Sequence, residues 1–272
     1  MTKQELYGRI GLSPRFAAAA EEAARGLEVP SDPCRKLFSR ETCEEGLAEL
    51  QAALGEDPFG LKLFVCLAGC ALHSHALYRE RGIPDAVFDD TMKFLSRFAA
   101  FDSALCGRPA FRRGRWFPRQ LGLREFRIGA LEYEMTEEEG EGRLSLHIPS
   151  DADLSLPALN ASKEQARRFF AAWFPDCAAA GMYCESWLLS PALPPLLPPG
   201  SRIAAFRRNF TILRTDEASR GFMDWLFPEV APGTPAEDLP EDTSLRRGAK
   251  RHLLAGGPVG WTLGRLNEDA YR

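Results

Sequence analysis

Two side chains in the second half of the chain have the chemistry of a general base. His147 ends a strand-like run, and an imidazole titrates close to neutral pH. Glu185 interrupts the apolar run Met182–Leu189, where a carboxylate is costly to bury unless it has a partner. Each residue also has a purely structural explanation. His147 would then be a hydrogen-bonded support for the following loop. Glu185 would be an ion-pair partner of Arg207 or Arg208, or would lie at a strand end open to water.

Four further residues are candidates for the wall of a substrate pocket. Cys184, Ser186 and Trp187 lie on one predicted strand, and Tyr133 lies on a predicted hairpin. An acyl-carrying role for Cys184 is the weaker alternative, because buried cysteines are common. The two aromatic residues also fit a place in the core, where strand aromatics are most often found. Two acidic residues that flank Tyr133 are predicted to be exposed to solvent: Glu132 and Glu134.

A basic, aromatic segment, GRPAFRRGRWFPRQ, connects the two halves of the chain. It contains four arginines: Arg112, Arg113, Arg115 and Arg119. Guanidinium groups bind phosphate through paired hydrogen bonds, and Trp116 could stack on a base or on a cation. Arg115 and Arg119 are therefore candidate cofactor-binding residues. The alternative is a solvated linker.

One predicted helix carries residues at a spacing that could bind zinc. Cys66, Cys70 and His73 share a helix face at spacings of four and three, with His75 nearby. The helix is strongly apolar, and no second Cys or His pair is close in sequence. Core thiols are therefore the favoured interpretation, and no metal is predicted. The odd number of cysteines, 7 in all, indicates reduced thiols rather than a secreted disulfide framework.

The net charge is −4 and the sequence pI is about 5.7. The chain therefore has no excess of positive charge that would attract nucleic acid or an anionic membrane. No run approaches 18 consecutive apolar residues, so no membrane span is predicted. The start of the chain, MTKQELYGRIGLSP, lacks the apolar segment of a signal peptide. We therefore expect a cytoplasmic protein that binds neither nucleic acid nor membrane.

Residues 1–115 have the pattern of a small helical bundle. Ser13-Pro14 is a typical helix start, with serine as the N-cap and proline in the first turn. Gly60–Arg81 is predicted to be the central apolar helix, too short to span a bilayer. Asp85–Phe98 follows it, with Pro84 at its start.

The second half, residues 116–272, alternates strands and helices. Leu123–Met135 and Leu144–Ile148 flank the turn EEEGEG as an antiparallel hairpin. A helix Ser162–Phe174 with capping-box spacing and a strand Met182–Leu189 follow. The predicted fold class is α+β, with a helical bundle followed by a mixed α/β domain around a central, mostly antiparallel sheet.

Several blocks resemble a bacterial two-domain family, which pairs a helical N-acyltransferase N-terminal domain with a GNAT-like C-terminal domain. They include WFPRQ, FRIGALEYE, LSLHIPSDADLS and LPEDTSLRRGAKRHLLAGGPVG. The resemblance implies a GNAT-like domain and acyl-CoA-dependent transfer to a small-molecule amine, with acetyl-CoA or another acyl-CoA as cofactor. His147 or Glu185 would remove the proton of the attacking amine. The alternative is a non-catalytic GNAT-like module that binds a small ligand or a protein.

The sequence departs from the GNAT pattern at the pyrophosphate-binding loop. GNAT enzymes hold the CoA pyrophosphate on a glycine-rich turn, because the backbone must approach closely and offer its N–H groups. The equivalent segment, PSDADLSLPALNAS, has no glycine and contains Asp151 and Asp153. Three alternatives follow: N–H groups near Ser162 bind the cofactor unaided, the cofactor binds elsewhere, or its binding has been lost.

Overall fold

The computed structural model describes residues 1–271. The chain divides after Ile128 into two compact units, called unit 1 and unit 2 below. The helices and strand of unit 1 are Lys3–Arg9 (α1), Pro14–Ala23 (α2), Ser31–Lys36 (α3), Cys43–Leu54 (α4), Leu61–Glu80 (α5), Asp85–Cys106 (α6), Pro118–Leu121 (α7) and Glu125–Ile128 (β1). Unit 1 is therefore the helical bundle that the sequence predicts.

Helix α5 is the core of unit 1. It is 20 residues long and apolar enough to cross a membrane by length and composition, so the prediction that it is too short was wrong. Burial explains its composition instead, because 61% of its most apolar 18-residue window is buried inside the protein. Phe64 near its N-terminal end contacts the rings of Phe16 and Phe111, with ring centroids 4.7 and 5.2 Å away.

Local capping explains the helix starts that the sequence predicts correctly. Helix α2 begins at Pro14, and the Ser13 hydroxyl accepts the Phe16 N–H. The segment after Val29 contains the short helix α3. Its proline, Pro33, lies in the first turn of that helix, where a missing N–H has no cost.

Unit 2 contains five strands, which pair in one sheet. Its elements are Leu131–Glu138 (β2), Glu141–His147 (β3), Leu156–Trp173 (α8), Gly181–Ser186 (β4), Arg202–Arg207 (α9), Phe210–Asp216 (β5), Met223–Leu226 (α10), Ser244–Leu254 (α11) and Trp261–Leu266 (β6). The strand order within the unit is β2-β3-β4-β6-β5. Among the strand pairs described within this unit, β3 and β4 alone run parallel, and α8 is the crossover between them. The α+β class with a mostly antiparallel sheet is thus confirmed.

Three element predictions were wrong in unit 2 or next to it. The run Leu123–Met135 is not one strand, because the chain turns at Gly129, whose φ of +64° suits glycine. Helix α8 begins at Leu156 rather than Ser162, since Pro157 lies in its first turn and favours an earlier start. Strand β4 ends at Ser186, and the next three residues form a 3-10 turn.

Candidate functional site

Strands β3 and β4 separate at their carboxyl ends. Within the described residues, their pairing ends at Ser145 and Tyr183, although β3 continues to His147 and β4 to Ser186. The backbone polar groups of these strand ends line a gap in the middle of the sheet. A linear ligand with amide groups could hydrogen-bond to both sides of such a gap, as an added strand does. The gap is therefore the candidate functional site.

His147 lies at one edge of this gap and is held by a carboxylate. Its Nε2 lies 2.9 Å from Oε2 of Glu134, and the two side chains are 31% and 12% exposed. A carboxylate only accepts hydrogen bonds, so Nε2 carries the proton and the lone pair of the neutral ring is on Nδ1. The pair has the arrangement of a base and the group that orients it.

The carboxylate partner was not identified from the sequence, which predicted Glu134 to be exposed. In the hairpin register Glu134 pairs with Ser145, two residues from His147 and on the same face of the sheet. Such diagonal neighbours reach each other when their side chains are long. The register of the hairpin is therefore the feature from which the partner of His147 could have been predicted.

Glu185 at the other edge of the gap is solvent-exposed. Its carboxylate lies 3.3 Å from Nη2 of Arg214, and both side chains are about half exposed or more, at 49% and 64%. The ion-pair alternative is thus realised with Arg214 on β5 instead of Arg207 or Arg208. Because an exposed, paired carboxylate stays close to water, Glu185 lacks the desolvated environment that was expected to make it a base.

Two predicted pocket residues belong to the core of unit 2. Tyr133 is fully buried, and its hydroxyl lies 2.9 Å from Oγ of Ser162. Cys184 is also buried, and desolvation raises the pKa of its thiol to about 12. A thiol in this state is a poor nucleophile at neutral pH, which argues against the acyl-carrying role for Cys184.

Ser162 is not at the start of a helix, so it lacks the helix N-terminus on which its predicted role in cofactor binding depended. It lies in the second turn of α8 and is fully buried. Its Oγ accepts the Leu131 N–H at 3.3 Å and contacts the Tyr133 hydroxyl. Gly129 packs closely enough that an added Cβ would lie 3.1 Å from the Cα of Ser162. This serine joins α8 to β2.

Replacing Ser162 with alanine should lower the free energy of unfolding by about 1–3 kcal/mol, since two buried groups lose a hydrogen-bond partner. Urea unfolding measures this loss. Tyr133→Phe in a double-mutant cycle provides the control, because the two losses should be less than additive. Fully additive losses would show that the hydroxyl pair contributes nothing.

Ser186 and Trp187 have local structural roles at the end of β4. The Ser186 hydroxyl accepts the Leu188 N–H at 3.1 Å and caps the 3-10 turn Trp187–Leu189. Trp187 is half-buried and packs against a core cluster that includes Phe222 and Phe227. Their predicted contact with substrate stays a prediction.

The start of α8 has an aspartate where GNAT enzymes have a glycine-rich turn. The Asp153 carboxylate accepts the N–H and the hydroxyl of Ser155, both at 2.9 Å, and lies 3.2 Å from Nη1 of Arg202. The hydrogen bond from the Ser155 N–H lowers the pKa of Asp153, so this carboxylate is ionised at neutral pH. Its negative charge lies near the positive end of the helix dipole.

The arginines of the connector belong to unit 1, and two of them neutralise buried acids. Arg113 binds Asp102, whose side chain is fully buried. Arg119 lies 2.9 Å from Glu125, whose side chain is 1% exposed. Arg119 therefore has a structural role that the sequence did not reveal. Arg115 is exposed and lies over the ring of Trp116, at 4.9 Å.

Three of the side chains considered as zinc ligands, Cys66, Cys70 and His73, lie on α5 and line one surface cavity, whereas His75 lines another. Cys66 and Cys70 are buried, and His73 packs edge-on against Phe38. His75 faces away from them, with Nε2 3.0 Å from the carboxylate of Asp85.

A parallel pair of strands that splays within an otherwise antiparallel sheet, with a helix crossing between them, defines the class of unit 2 as a GNAT-like fold. The family model of the GNAT-like C-terminal domain matches residues 125–266. That of the N-acyltransferase N-terminal domain matches residues 1–123. The chain belongs to the two-domain acyltransferase family that these models describe, as its blocks of sequence indicated.

Solved structures of acyltransferases share this fold. One in complex with CoA and 10C-teicoplanin has a TM-score of 0.72, and one with decanoyl-CoA and teicoplanin has 0.71. Another, in complex with decanoyl-CoA, has a TM-score of 0.67. Each of these structures is 22% identical to this chain in sequence. Each match covers 98% of this chain and 99% of the chain in the solved structure. No match was found among curated proteins.

Proposed function

We propose that this protein is an acyl-CoA-dependent N-acyltransferase that binds the thioester between the ends of β3 and β4. The observation that carries this proposal is the gap itself, because strand pairing ends at Ser145 and Tyr183 while a histidine–carboxylate pair lies at its edge. Membership of the family supports the reaction class. The similar acyltransferases that bind CoA or decanoyl-CoA support the choice of cofactor.

The reaction follows from the chemistry of the gap. The amine nitrogen attacks the thioester carbonyl carbon, a C–N bond forms, and the carbonyl oxygen becomes negative. Nδ1 of His147 accepts the proton of the amine, while the Nε2–H group continues to donate its hydrogen bond to the Glu134 carboxylate. Backbone N–H groups at the strand ends would stabilise the oxyanion. The C–S bond then breaks, and the CoA thiolate takes the proton from the imidazolium.

The acceptor we propose is a primary amine on a small molecule. The exposed edge of the gap, with Glu185 and Arg214 both open to solvent, provides polar groups that an amine-bearing acceptor could contact. The similar acyltransferases were solved with teicoplanin or 10C-teicoplanin, so large amine-bearing molecules belong in the first acceptor panel beside simple amines.

The test is turnover with defined substrates. Purified protein is incubated with acetyl-, octanoyl- or decanoyl-CoA and the acceptor panel, and mass spectrometry follows the amide product and released CoA. Calorimetric titration with each acyl-CoA, without acceptor, measures binding separately. Binding and an amide product are expected. Absence of binding by every acyl-CoA would overturn the proposal.

The position of the cofactor phosphates has its own test. If they bind at the start of α8, the ionised Asp153 repels them, and Asp153→Asn should tighten acyl-CoA binding by about three- to tenfold. Asparagine keeps the hydrogen bonds to Ser155. Asp176→Asn, an exposed aspartate just after the other end of α8, is the matched control and should leave the Kd unchanged. An unchanged Kd in the Asp153 variant would place the phosphates elsewhere.

The second candidate function is a non-catalytic module that binds a small ligand or a protein. The negative charge of Asp153 at the start of α8 favours it, because this is where the GNAT pattern requires an anion site. Acyl-CoA binding without amide formation for any acceptor would support this module. Amide formation at a rate that depends on His147 would exclude it.

A further inference from the structure

We propose that unit 1 binds the anion of a medium-chain fatty acid in a surface cavity beside helix α5. This cavity, called the α5 cavity below, has a volume of about 440 Å³ and is lined by residues of α1, α3 and α5, including Lys3, Cys34 and Gly69. Its volume is in the range of small-molecule sites. The α5 cavity is built from unit 1 alone and does not depend on the proposed transferase activity.

One side of the α5 cavity is a single face of α5. Five residues of this helix line it, at positions 65, 66, 69, 70 and 73. Residues at spacings of three and four lie on the same side of a helix. With a rise of 1.5 Å per residue, the row from Val65 to His73 is about 12 Å long. An elongated site of this kind fits an extended alkyl chain.

Most of the lining is apolar. Val65 and Cys66 are buried, while Val29 is 46% exposed, so a ligand in the cavity would cover apolar surface that now contacts water. The thiols act here as small apolar groups. Within residues 1–271, no three ligand atoms of the cavity's cysteines and histidine lie within 4.8 Å of one another, so these side chains do not form a metal site.

Gly69 is a glycine in a helix interior that packing does not explain. Glycine destabilises such a position relative to alanine. A Cβ added at Gly69 would lie 3.9 Å from Cε of Lys3, and it would meet no other described atom within 4 Å beyond the local helix backbone. By contrast, a Cβ at Gly46 on α4 would lie only 2.5 Å from Cβ of Lys36, so packing requires that glycine. The missing side chain at Gly69 instead leaves room in the α5 cavity.

The charge of the lining favours an anion. Among the described residues that line the α5 cavity, Lys3 and Arg35 are cationic and none is a carboxylate. Arg35 pairs with Asp32, whereas Lys3 forms no ion pair within residues 1–271. The stem of Lys3 lies beside Gly69, which places a cationic amine next to an apolar cavity. A fatty acid anion matches both parts, because its carboxylate can bind Lys3 while its chain lies along α5.

The first experiment is calorimetric titration of the full-length protein with decanoate. Saturable binding at one site is expected. Along the series hexanoate, octanoate and decanoate, each added methylene should tighten the Kd by up to about fourfold, since it buries more apolar surface. Decylamine, which has the same chain and the opposite charge, should bind at least about tenfold more weakly. Absence of decanoate binding, or equal binding of decylamine, would overturn the proposal.

A second measurement locates the ligand in the wild-type protein. Cys34 lines the α5 cavity and is partly exposed, and Cys177 in unit 2 is a partly exposed reference. At ten times the Kd, decanoate should slow alkylation of Cys34 by roughly tenfold, because only the free protein reacts. Alkylation of Cys177 should not change. Bound decanoate that leaves the rate at Cys34 unaltered would show that the fatty acid binds elsewhere.

Variants test the charge and the space separately. Lys3→Gln should weaken decanoate binding about tenfold, and Gly69→Leu should abolish it by filling the cavity. Gly8→Leu is the matched control, because Gly8 is also helical and unhindered but lines another cavity. Gly69→Leu should keep the wild-type Kd for acyl-CoA, so that this test is independent of the transferase proposal. Unchanged decanoate binding in both Lys3→Gln and Gly69→Leu would refute the site, and the alkylation result decides if Gly69→Leu does not fold.

Discussion

Replacing His147 with alanine should lower kcat/KM for acyl transfer by about 10²- to 10⁴-fold, the usual contribution of a positioned general base. The reason is the pair at the edge of the gap, in which Glu134 holds Nε2 at 2.9 Å and the lone pair is on Nδ1. Without the imidazole, the amine must lose its proton to water. The measurement is steady-state kinetics with the best acyl-CoA and amine.

Two further readouts make the His147 result specific. The acyl-CoA Kd should stay nearly constant, because the loss lies in the chemical step. Glu134→Gln, which keeps an acceptor for Nε2 but removes its charge, should lower kcat by at least about tenfold.

Glu185→Gln is the comparison that decides between the two bases suggested by the sequence. Since Glu185 is exposed and paired with Arg214, its variant should keep the rate within about twofold. A large loss in Glu185→Gln together with normal turnover in His147→Ala would reverse the assignment. Normal turnover in both would show that neither side chain is the base.

The register of the β2–β3 hairpin could have been predicted from the sequence alone. The two-residue turn Glu139-Gly140 has positive φ at both positions, as a type I′ turn requires, and it pairs Glu138 with Glu141. Counting back from this pair places Glu134 opposite Ser145. The position of Gly140 after the acidic run therefore determines the register, and the register identifies the partner of His147. The hairpin was predicted from the sequence, but its register was not.

Other features depend on contacts that no local pattern contains. Ser162 has capping-box spacing, yet Pro157 starts the helix earlier and the serine becomes a buried link to β2. In the sequence, the arginines of the connector look like a phosphate-binding site. Their buried partners, such as Asp102, lie outside that segment, so the motif alone does not show that these arginines are already paired. Propensity and motif spacing describe a few residues at a time, whereas burial is decided by the assembled unit.

Replacing Arg113 with alanine should lower the free energy of unfolding by about 3–5 kcal/mol, the largest stability effect we expect. Its guanidinium binds Asp102, whose side chain is fully buried, and the other carboxylate oxygen accepts the Arg112 N–H at 2.6 Å. Removing the guanidinium leaves a carboxylate inside unit 1 without the counter-charge that offsets its loss of water. Urea unfolding at neutral pH measures the change.

Arg115→Ala is the matched control for Arg113. Both guanidinium groups lie over an aromatic ring, at 4.4 Å from the Phe101 centroid for Arg113 and 4.9 Å from Trp116 for Arg115, but Arg115 is exposed. The control should therefore change stability by less than about 1 kcal/mol. Asp102→Asn added to Arg113→Ala should restore part of the loss, because a neutral amide tolerates burial better than a charge. If the double variant is no more stable than Arg113→Ala, the arginine stabilises unit 1 by packing on Phe101 instead of neutralising Asp102.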